Sequence, residues 1–248
     1  KRHRNQLTGM QYIELTLPDP ASNLACDEAL LELFETGCAT ESLLRIWEPE
    51  NHFIVLGHSN RIDSEVDLAA CESERLSIFR RLSGGGTVMQ GPGCLNYSLI
   101  LRNGVDIPLG IAEAFQFVLE HHKQCIQEMI GDRVEIAGVS DLVINGRKFS
   151  GNAQYRKRWF TLVHGTFLLS LDSAIVAHCL RLPSKQPAYR QNRSHSCFMR
   201  NLHLDPIDVR EALRAVWFAS DRFTDIPNAM IADLKKRRYG RPDWTRKF

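Results

Sequence analysis

The segment Arg80-Arg81-Leu82-Ser83-Gly84-Gly85-Gly86-Thr87 sets three successive glycines beside two arginines. Glycines expose backbone N–H groups and let a ligand approach the main chain closely, and the adjoining guanidinium groups favour a phosphate or a carboxylate. The same glycines also suit a tight strand connection, a reading that the loop alone leaves open. No Gly-Lys-Ser/Thr follows at Walker A spacing and no Gly-x-Gly-x-x-Gly opens a helix, so neither a P-loop nor a dinucleotide fingerprint is present. A second cluster runs from Asp141 through Asn145, Gly146, Lys148, Ser150, Gly151 and Ala153 to Gln154. Asn145-Gly146 tolerates the positive φ values of a two-residue hairpin turn, which sets Lys148 on the returning strand. There its ammonium can meet an anion held by the glycine loop and neutralise charge that develops in acyl transfer, an effect worth about 3 kcal/mol. Taken alone, Lys148 reads more readily as an exposed hairpin lysine, and His164 more readily as a hydrogen-bonded core histidine than as a catalytic one.

The elements that must position these clusters are strand-rich in the centre of the chain. Tyr12 to Leu17 partly alternates as a strand, Pro18-Asp19-Pro20 breaks it, and Ser22 or Asn23 is placed to cap a helix over Leu24 to Glu35. Leu43 to Trp47 and Phe53 to Gly57 suggest a hairpin or two neighbouring strands, Val66 to Arg75 a helix, and Ser77 to Arg80, Val88 to Met89 and Asn96 to Leu101 further strands. Ile111 to Ile130 carries helical periodicity with Gly131 as its stop, and Phe160 to Leu171 reads as a strand pair or a long strand. Leu182 to Ser196, polar and proline-containing, is expected to be a surface loop of the kind that closes over ligands. Helices over Pro206 to Ala219 and Pro227 to Arg237 complete the chain.

With 248 residues, 44% apolar and 24% charged, the chain can bury a sizeable core, and no apolar run reaches the length of a membrane span. A net charge of +2 gives no argument for nucleic acid, despite basic clusters at Lys1 to Arg4, Arg156 to Arg158 and Lys235 to Arg241. The seven cysteines form no CxxC pair and are odd in number, which fits neither a zinc site nor a disulfide framework and is consistent with a reducing cytoplasm. Residues 1–9 are expected to be a basic, flexible leader and residues 10–248 a single domain.

Several ordered segments together resemble the lipoate-protein ligase family. They are Asn23-Leu24-Ala25-Cys26-Asp27-Glu28-Ala29-Leu30, Leu44-Arg45-Ile46-Trp47, the glycine loop, Leu95-Asn96-Tyr97-Ser98, the Asp141 to Gln154 cluster, His164-Gly165-Thr166 and Pro183-Ser184-Lys185-Gln186-Pro187. The resemblance implies an α+β domain with mixed, largely antiparallel sheets and flanking helices, shared with biotin ligases. It also implies activation of lipoate by ATP and Mg²⁺ to an acyl-adenylate, followed by transfer to a lysine of lipoyl acceptor proteins: the E2 lipoyl domains of 2-oxoacid dehydrogenases and the glycine cleavage H protein. On the matching positions, Arg45, Arg81, Ser83, Gly84, Gly85, Gly86, Asn96, His164 and Gly165 would hold the acyl substrate. Asp141, Asn145, Lys148, Ser150, Gly151 and Ala153 would lie at the nucleotide, with Lys148 bridging the acyl carbonyl and the α-phosphate; no metal ligand is assigned.

The chain also departs from the family pattern. Gln90 stands where many members have His, Cys94 where Asn is common, and Gly91-Pro92-Gly93 is similar to the octanoyltransferase branch. Members of that branch use a cysteine nucleophile, but no cysteine matches either of its positions, which favours the adenylate route. The accessory domain of common bacterial ligases has no counterpart up to Phe248, so a separate accessory protein is expected, or transfer from a preformed adenylate or a carrier protein. A non-catalytic binder of acylated carriers, docking through Arg156-Lys157-Arg158, is the reading from another class.

Overall fold

The computed structural model describes residues 9–37 and 41–248, so the expected basic leader lies outside the described residues except for Gly9. After strand β1 (Met10–Glu14), helix α1 (Pro20–Glu35) starts earlier than expected. Asp19, not Ser22 or Asn23, is the cap, its carboxylate accepting the Ser22 N–H at 3.0 Å, and Pro20 occupies the first turn, where no backbone donor is needed. Strands β2 (Ser42–Trp47) and β3 (Phe53–Leu56) follow. The helix expected over Val66 to Arg75 is two short ones, α2 (Ile62–Glu65) and α3 (Leu68–Ser73), because Val66 turns extended between them. Strands β4 (Ser77–Arg80), β5 (Val88–Gln90) and β6 (Cys94–Arg102) flank the glycine loop, and α4 (Ile111–Ile130) stops at Gly131 with φ 72°. Next come β7 (Glu135–Ala137), β8 (Asp141–Ile144), β9 (Arg147–Arg156) and the single long strand β10 (Phe160–Leu168). Short α5 (Ser173–Cys179) and α6 (His195–Phe198) bracket the expected loop. The chain closes with α7 (Pro206–Val216), β11 (Ala219–Arg222), α8 (Asn228–Leu234) and α9 (Pro242–Thr245).

Eight strands form one sheet in the order β11, β1, β2, β6, β10, β9, β8, β7, parallel only across β11, β1 and β2; β4, β3 and β5 form a second, smaller sheet. β2 and β3 therefore do not pair. Both edges of β2 are taken by β1 and β6, and the segment after Trp47 carries the chain across to the small sheet. Alternation along the strands builds a core on each face of the large sheet, and Ile54, Leu56 and Met89 of the small sheet pack with Ile62, Val66 and Val176 in a third cluster. Leu44, Leu99 and Leu101 pack with Phe115 and Val118 of α4 and Trp217, while Leu43, Ile100 and Leu162 pack with α1, α8 and one face of the small sheet. Among the described residues no helix is long and apolar enough to cross a membrane.

Arg45 breaks the apolar alternation of β2 by pointing into the second core with no solvent exposure. Every guanidinium nitrogen is satisfied. Nε and Nη2 donate to the Leu15 carbonyl, Nη1 to the Asn23 carbonyl at 2.9 Å and to Asp27 at 2.6 Å, and Nη2 to the Asn23 side chain at 2.7 Å. Burial alone would raise the Asp27 pKa, but Arg45 and His164 outweigh it and hold the carboxyl below its ordinary range. Replacing Arg45 with Met strands that carboxylate, so Arg45→Met should cost about 3–5 kcal/mol, read as a lower urea midpoint at unchanged slope. A folded pKa below the unfolded one means that this stabilisation is complete above the ordinary carboxylate range and is lost as pH falls through the folded value. The difference between wild type and variant should accordingly shrink in acid.

Candidate active site

The glycine loop closes around a cation. Arg81 Nη2 donates to the carbonyls of Gly84 at 2.6 Å and Gly86 at 2.9 Å, and Nε to Ser83 Oγ at 3.1 Å. Gly85 lies at φ 91°, and a Cβ there would stand 2.9 Å from Arg81 Nη2, so both backbone and space require glycine. Burial draws the Arg81 pKa down to about 10, which leaves it charged at neutral pH.

A chain of hydrogen bonds fixes this loop to the large sheet. Ser83 Oγ meets His164 Nε2 at 2.6 Å, and His164 Nδ1 meets Asp27 Oδ2 at 3.1 Å. The order Ser, His, Asp is that of a hydrolase triad, but Ser83 is fully buried, and only Asp27 and His164 of the three border the cavity. The network therefore positions the loop rather than presenting a nucleophile.

Lys148 owes its place to two features of the β8–β9 hairpin. Asn145 and Gly146, at φ 53° and 68°, make the expected tight turn. A bulge then skips Phe149, so that Gly151, and not Ser150, stands opposite Asp141. This opens the space into which Lys148 extends, its Nζ 2.7 Å from Asp141 Oδ1. A Cβ on Gly151 would fall 2.4 Å from that ammonium. On its other oxygen Asp141 accepts from Tyr189 Oη at 2.6 Å, a contact made from the loop between α5 and α6.

Two cavities meet at Lys148. The larger, about 1480 Å³ with its open mouth, has an apolar end formed by Leu24, Trp47, Val55 and Tyr97. The smaller, about 710 Å³ with the solvent at its opening, has Met89, Leu168, Leu171, Val176 and Leu180 on its apolar wall and Glu65, Arg181, Arg190 and His195 among its polar lining. Gln90 and Thr166 border both and are joined, Gln90 Nε2 donating to Thr166 Oγ1 at 2.8 Å and Thr166 to Asn96 Oδ1 at 2.5 Å. Among the described residues Gln90 Oε1, Asn96 Nδ2 and Thr87 Oγ1 are buried without a protein partner, which leaves an acceptor, a donor and a hydroxyl for a ligand or water.

Of the residues expected at the site, Arg81, Gly85, Gly86, Asn96, His164 and Gly165 border the larger cavity, as do Asp141, Lys148, Gly151 and Ala153. Arg45 and Ser83 stand behind it, Gly84 borders neither cavity, Asn145 is spent in the exposed hairpin turn, and the bulge leaves Ser150 out of both linings. Sequence reasoning missed the roles of Asp27, Trp47 and Thr166, although each sits in a family-like motif, and missed Tyr189, for which no local pattern existed. No described cysteine borders either cavity, and burial pushes the Cys94 thiol up to about 12.

Residues 19–217 match the lipoyl protein ligase A/B catalytic domain. The chain belongs to this family. It is 26% identical to octanoyltransferase LipM of Brevibacillus brevis, over 94% of this chain and 97% of that protein. It is 31% identical to lipoate-protein ligase LplJ of Bacillus subtilis, over 63% of this chain and 44% of that protein. Among solved structures, the bi-partite lipoate protein ligase of Thermoplasma acidophilum superposes with a TM-score of 0.80 at 20% identity, covering 96% of this chain and 95% of that one. A lipoate-protein ligase A bound with ATP gives 0.74 at 20% identity, covering 97% and 99%. The expected mixed α+β fold is thus the observed one, and the chain is an enzyme of the lipoate ligase and octanoyltransferase family.

Gly151→Ala tests the space argument. Lys148 can swing away from the new methyl, so melting should change by no more than a few degrees, while a crystal structure of the variant should show its ammonium displaced from Asp141; an unmoved Lys148 would refute the space argument.

Proposed function

We propose that this chain is a lipoate-protein ligase that activates lipoate, or octanoate, with ATP and transfers the acyl group to a lysine of lipoyl acceptor proteins. The observation that carries this reading is the meeting of two cavities at one lysine. In this reading an acyl tail takes the apolar end beside Trp47 and the purine base takes the smaller cavity, which would bring the reacting carboxylate and α-phosphate together at Lys148, the lysine that lines both. A carboxylate oxygen attacks the α-phosphorus and pyrophosphate leaves with the electron pair of the broken bond. The acceptor amine then attacks the acyl carbonyl, AMP leaves, and the amine proton passes to solvent. Lys148 neutralises the oxyanion in each step, and Asp141 keeps it in place beforehand.

The unpartnered groups on Thr87, Gln90 and Asn96 suit a polar ligand at the junction. Among the described residues no three His, Cys, Asp or Glu side chains group to cage a metal. Mg²⁺ fits this site as a companion of the triphosphate, where it would screen phosphate charge, with Asp141 the carboxylate beside the junction. E2 lipoyl domains and the glycine cleavage H protein are the proposed acceptors. A separate accessory protein is the proposed partner, a reading supported by the bi-partite make-up of the Thermoplasma ligase.

Octanoyl transfer from a carrier protein is the second reading, favoured by the nearly full-length match to octanoyltransferases. Against a cysteine thioester stands the absence of a described cysteine from either cavity wall. The non-catalytic binder loses its main argument, because Arg156 is spent on the carbonyls of Pro108, Leu109 and Gly110, and Lys157 pairs with Glu32.

The test is the intact mass of a lipoyl domain incubated with this protein, lipoate and Mg-ATP. An ATP-dependent lipoyl mass gain is expected, and Lys148→Ala should reduce its rate at least about 100-fold without loss of fold. Modification only from an octanoyl carrier protein, with no dependence on ATP, would establish the second reading instead.

A further inference from the structure

Arg81, Lys148, Arg181, Lys185 and Arg190 are the lysines and arginines that border the two cavities. Arg81 is caged by loop carbonyls, Lys148 is paired with Asp141, Arg181 donates to the Asp63 carbonyl and is exposed, and Lys185 is exposed. Arg190 differs from all four. It is 5% exposed, borders both cavities, and has no carboxylate within ion-pair distance among the described residues. Nε donates to the Arg193 carbonyl at 3.2 Å and Nη2 lies 3.4 Å from His195 Nδ1, while among the described residues no protein group accepts from Nη1.

The fork is also held still. Its central carbon lies over the Phe198 ring, 4.6 Å from the centroid, and its loop is tied down on both sides, by Tyr189 to Asp141 and by Arg193 to the Gly146 carbonyl. A largely buried guanidinium with no ion-pair partner, feeling Asp141 only at longer range while Lys148 and Tyr189 engage that carboxylate directly, is a poor contributor to stability but a prepared anion receptor. Lys148, among the described residues the only lysine to border both cavities as Arg190 does, approaches the junction from the hairpin, whereas Arg190 approaches from the loop.

We infer that Arg190 binds a phosphoryl oxyanion of the substrate at the junction of the two cavities. Under the ligase reading, on which the identity of that phosphate rests, it belongs to ATP, and Arg190 stabilises the negative charge that gathers as the α-phosphorus to pyrophosphate bond breaks. Under carrier-dependent transfer the same guanidinium would take the phosphodiester of the carrier's acyl arm.

Calorimetric titration of inorganic pyrophosphate, ATP and adenosine into the wild type, Arg190→Met and Arg190→Lys, each shown to fold by thermal melting, tests this. Arg190→Met should weaken pyrophosphate and ATP about 10- to 100-fold and leave adenosine within about twofold. Arg190→Lys, which keeps the charge without the planar fork, should recover part of the loss. Undiminished pyrophosphate binding by the Met variant, no pyrophosphate binding by the wild type, or equal weakening of adenosine and ATP would overturn the assignment. Pyrophosphate binding that depends on Arg190, combined with ATP that binds no tighter than pyrophosphate, would keep Arg190 as a phosphate receptor while removing the ligase reading in favour of the carrier.

Discussion

One buried guanidinium organises the site without touching the space in which substrates would lie. Arg45 joins the segment after β1, the first turns of α1 and strand β2 through Leu15, Asn23 and Asp27. From Asp27 the line continues through His164 on β10 to Ser83, and from Ser83 to Arg81 inside the glycine loop. Five side chains thus connect the centre of the large sheet to the loop of the small one. An ion pair this deeply buried is seldom a net gain over apolar packing of the same shape. Its value here is positional: a strict geometry for the loop, with the Arg45 guanidinium also backing Trp47, 5.2 Å from the ring centroid, at the apolar end of the cavity.

The second constraint is absent side-chain volume. At Gly85 a Cβ would strike Arg81, at Gly151 it would strike Lys148, and at Gly165 it would fall 1.9 Å from Asn152 Oδ1. Only Gly85 of these three has a positive φ, so at Gly151 and Gly165 room, not backbone freedom, selects glycine. Loop, hairpin and β10 each contribute one such position, which is how three separate elements approach a common centre.

Much of this was legible in the sequence. The Asn145-Gly146 turn, the Gly131 stop and the long α4 followed from local residue chemistry, because each depends on neighbours in the chain. The grouping of glycine loop, Lys148 and His164 came from the ordered motifs and not from periodicity. What escaped depends on distant partners. Arg45 shares a motif with Trp47 and looks like a ligand contact, yet its donors are consumed by Leu15, Asn23 and Asp27, a fact that no spacing rule contains. Ser150 stood one residue from Gly151 in a site-like motif, but a single-residue bulge decides which of them faces Asp141. The separation of β2 from β3 into different sheets follows from competition for the edges of β2, which local sequence does not encode.

Charge at the junction of the two cavities is preorganised around one lysine. Asp141 holds the Lys148 ammonium at 2.7 Å and shares its own negative charge with the Tyr189 hydroxyl. A carboxylate that accepts two such bonds keeps the lysine oriented, while the ammonium retains two further N–H donors. Preorganised donors of this kind act most strongly where water is excluded, and the walls here are apolar on both sides of the lysine. A nucleophilic cysteine would need the opposite provision, a thiol open to the cavity and drawn down toward neutral pH. Cys94, the cysteine nearest in sequence to the glycine loop, is sealed in the core with its pKa raised to about 12. The cavity walls therefore present a held ammonium and no described thiol, an arrangement that offers charge neutralisation and not a cysteine nucleophile.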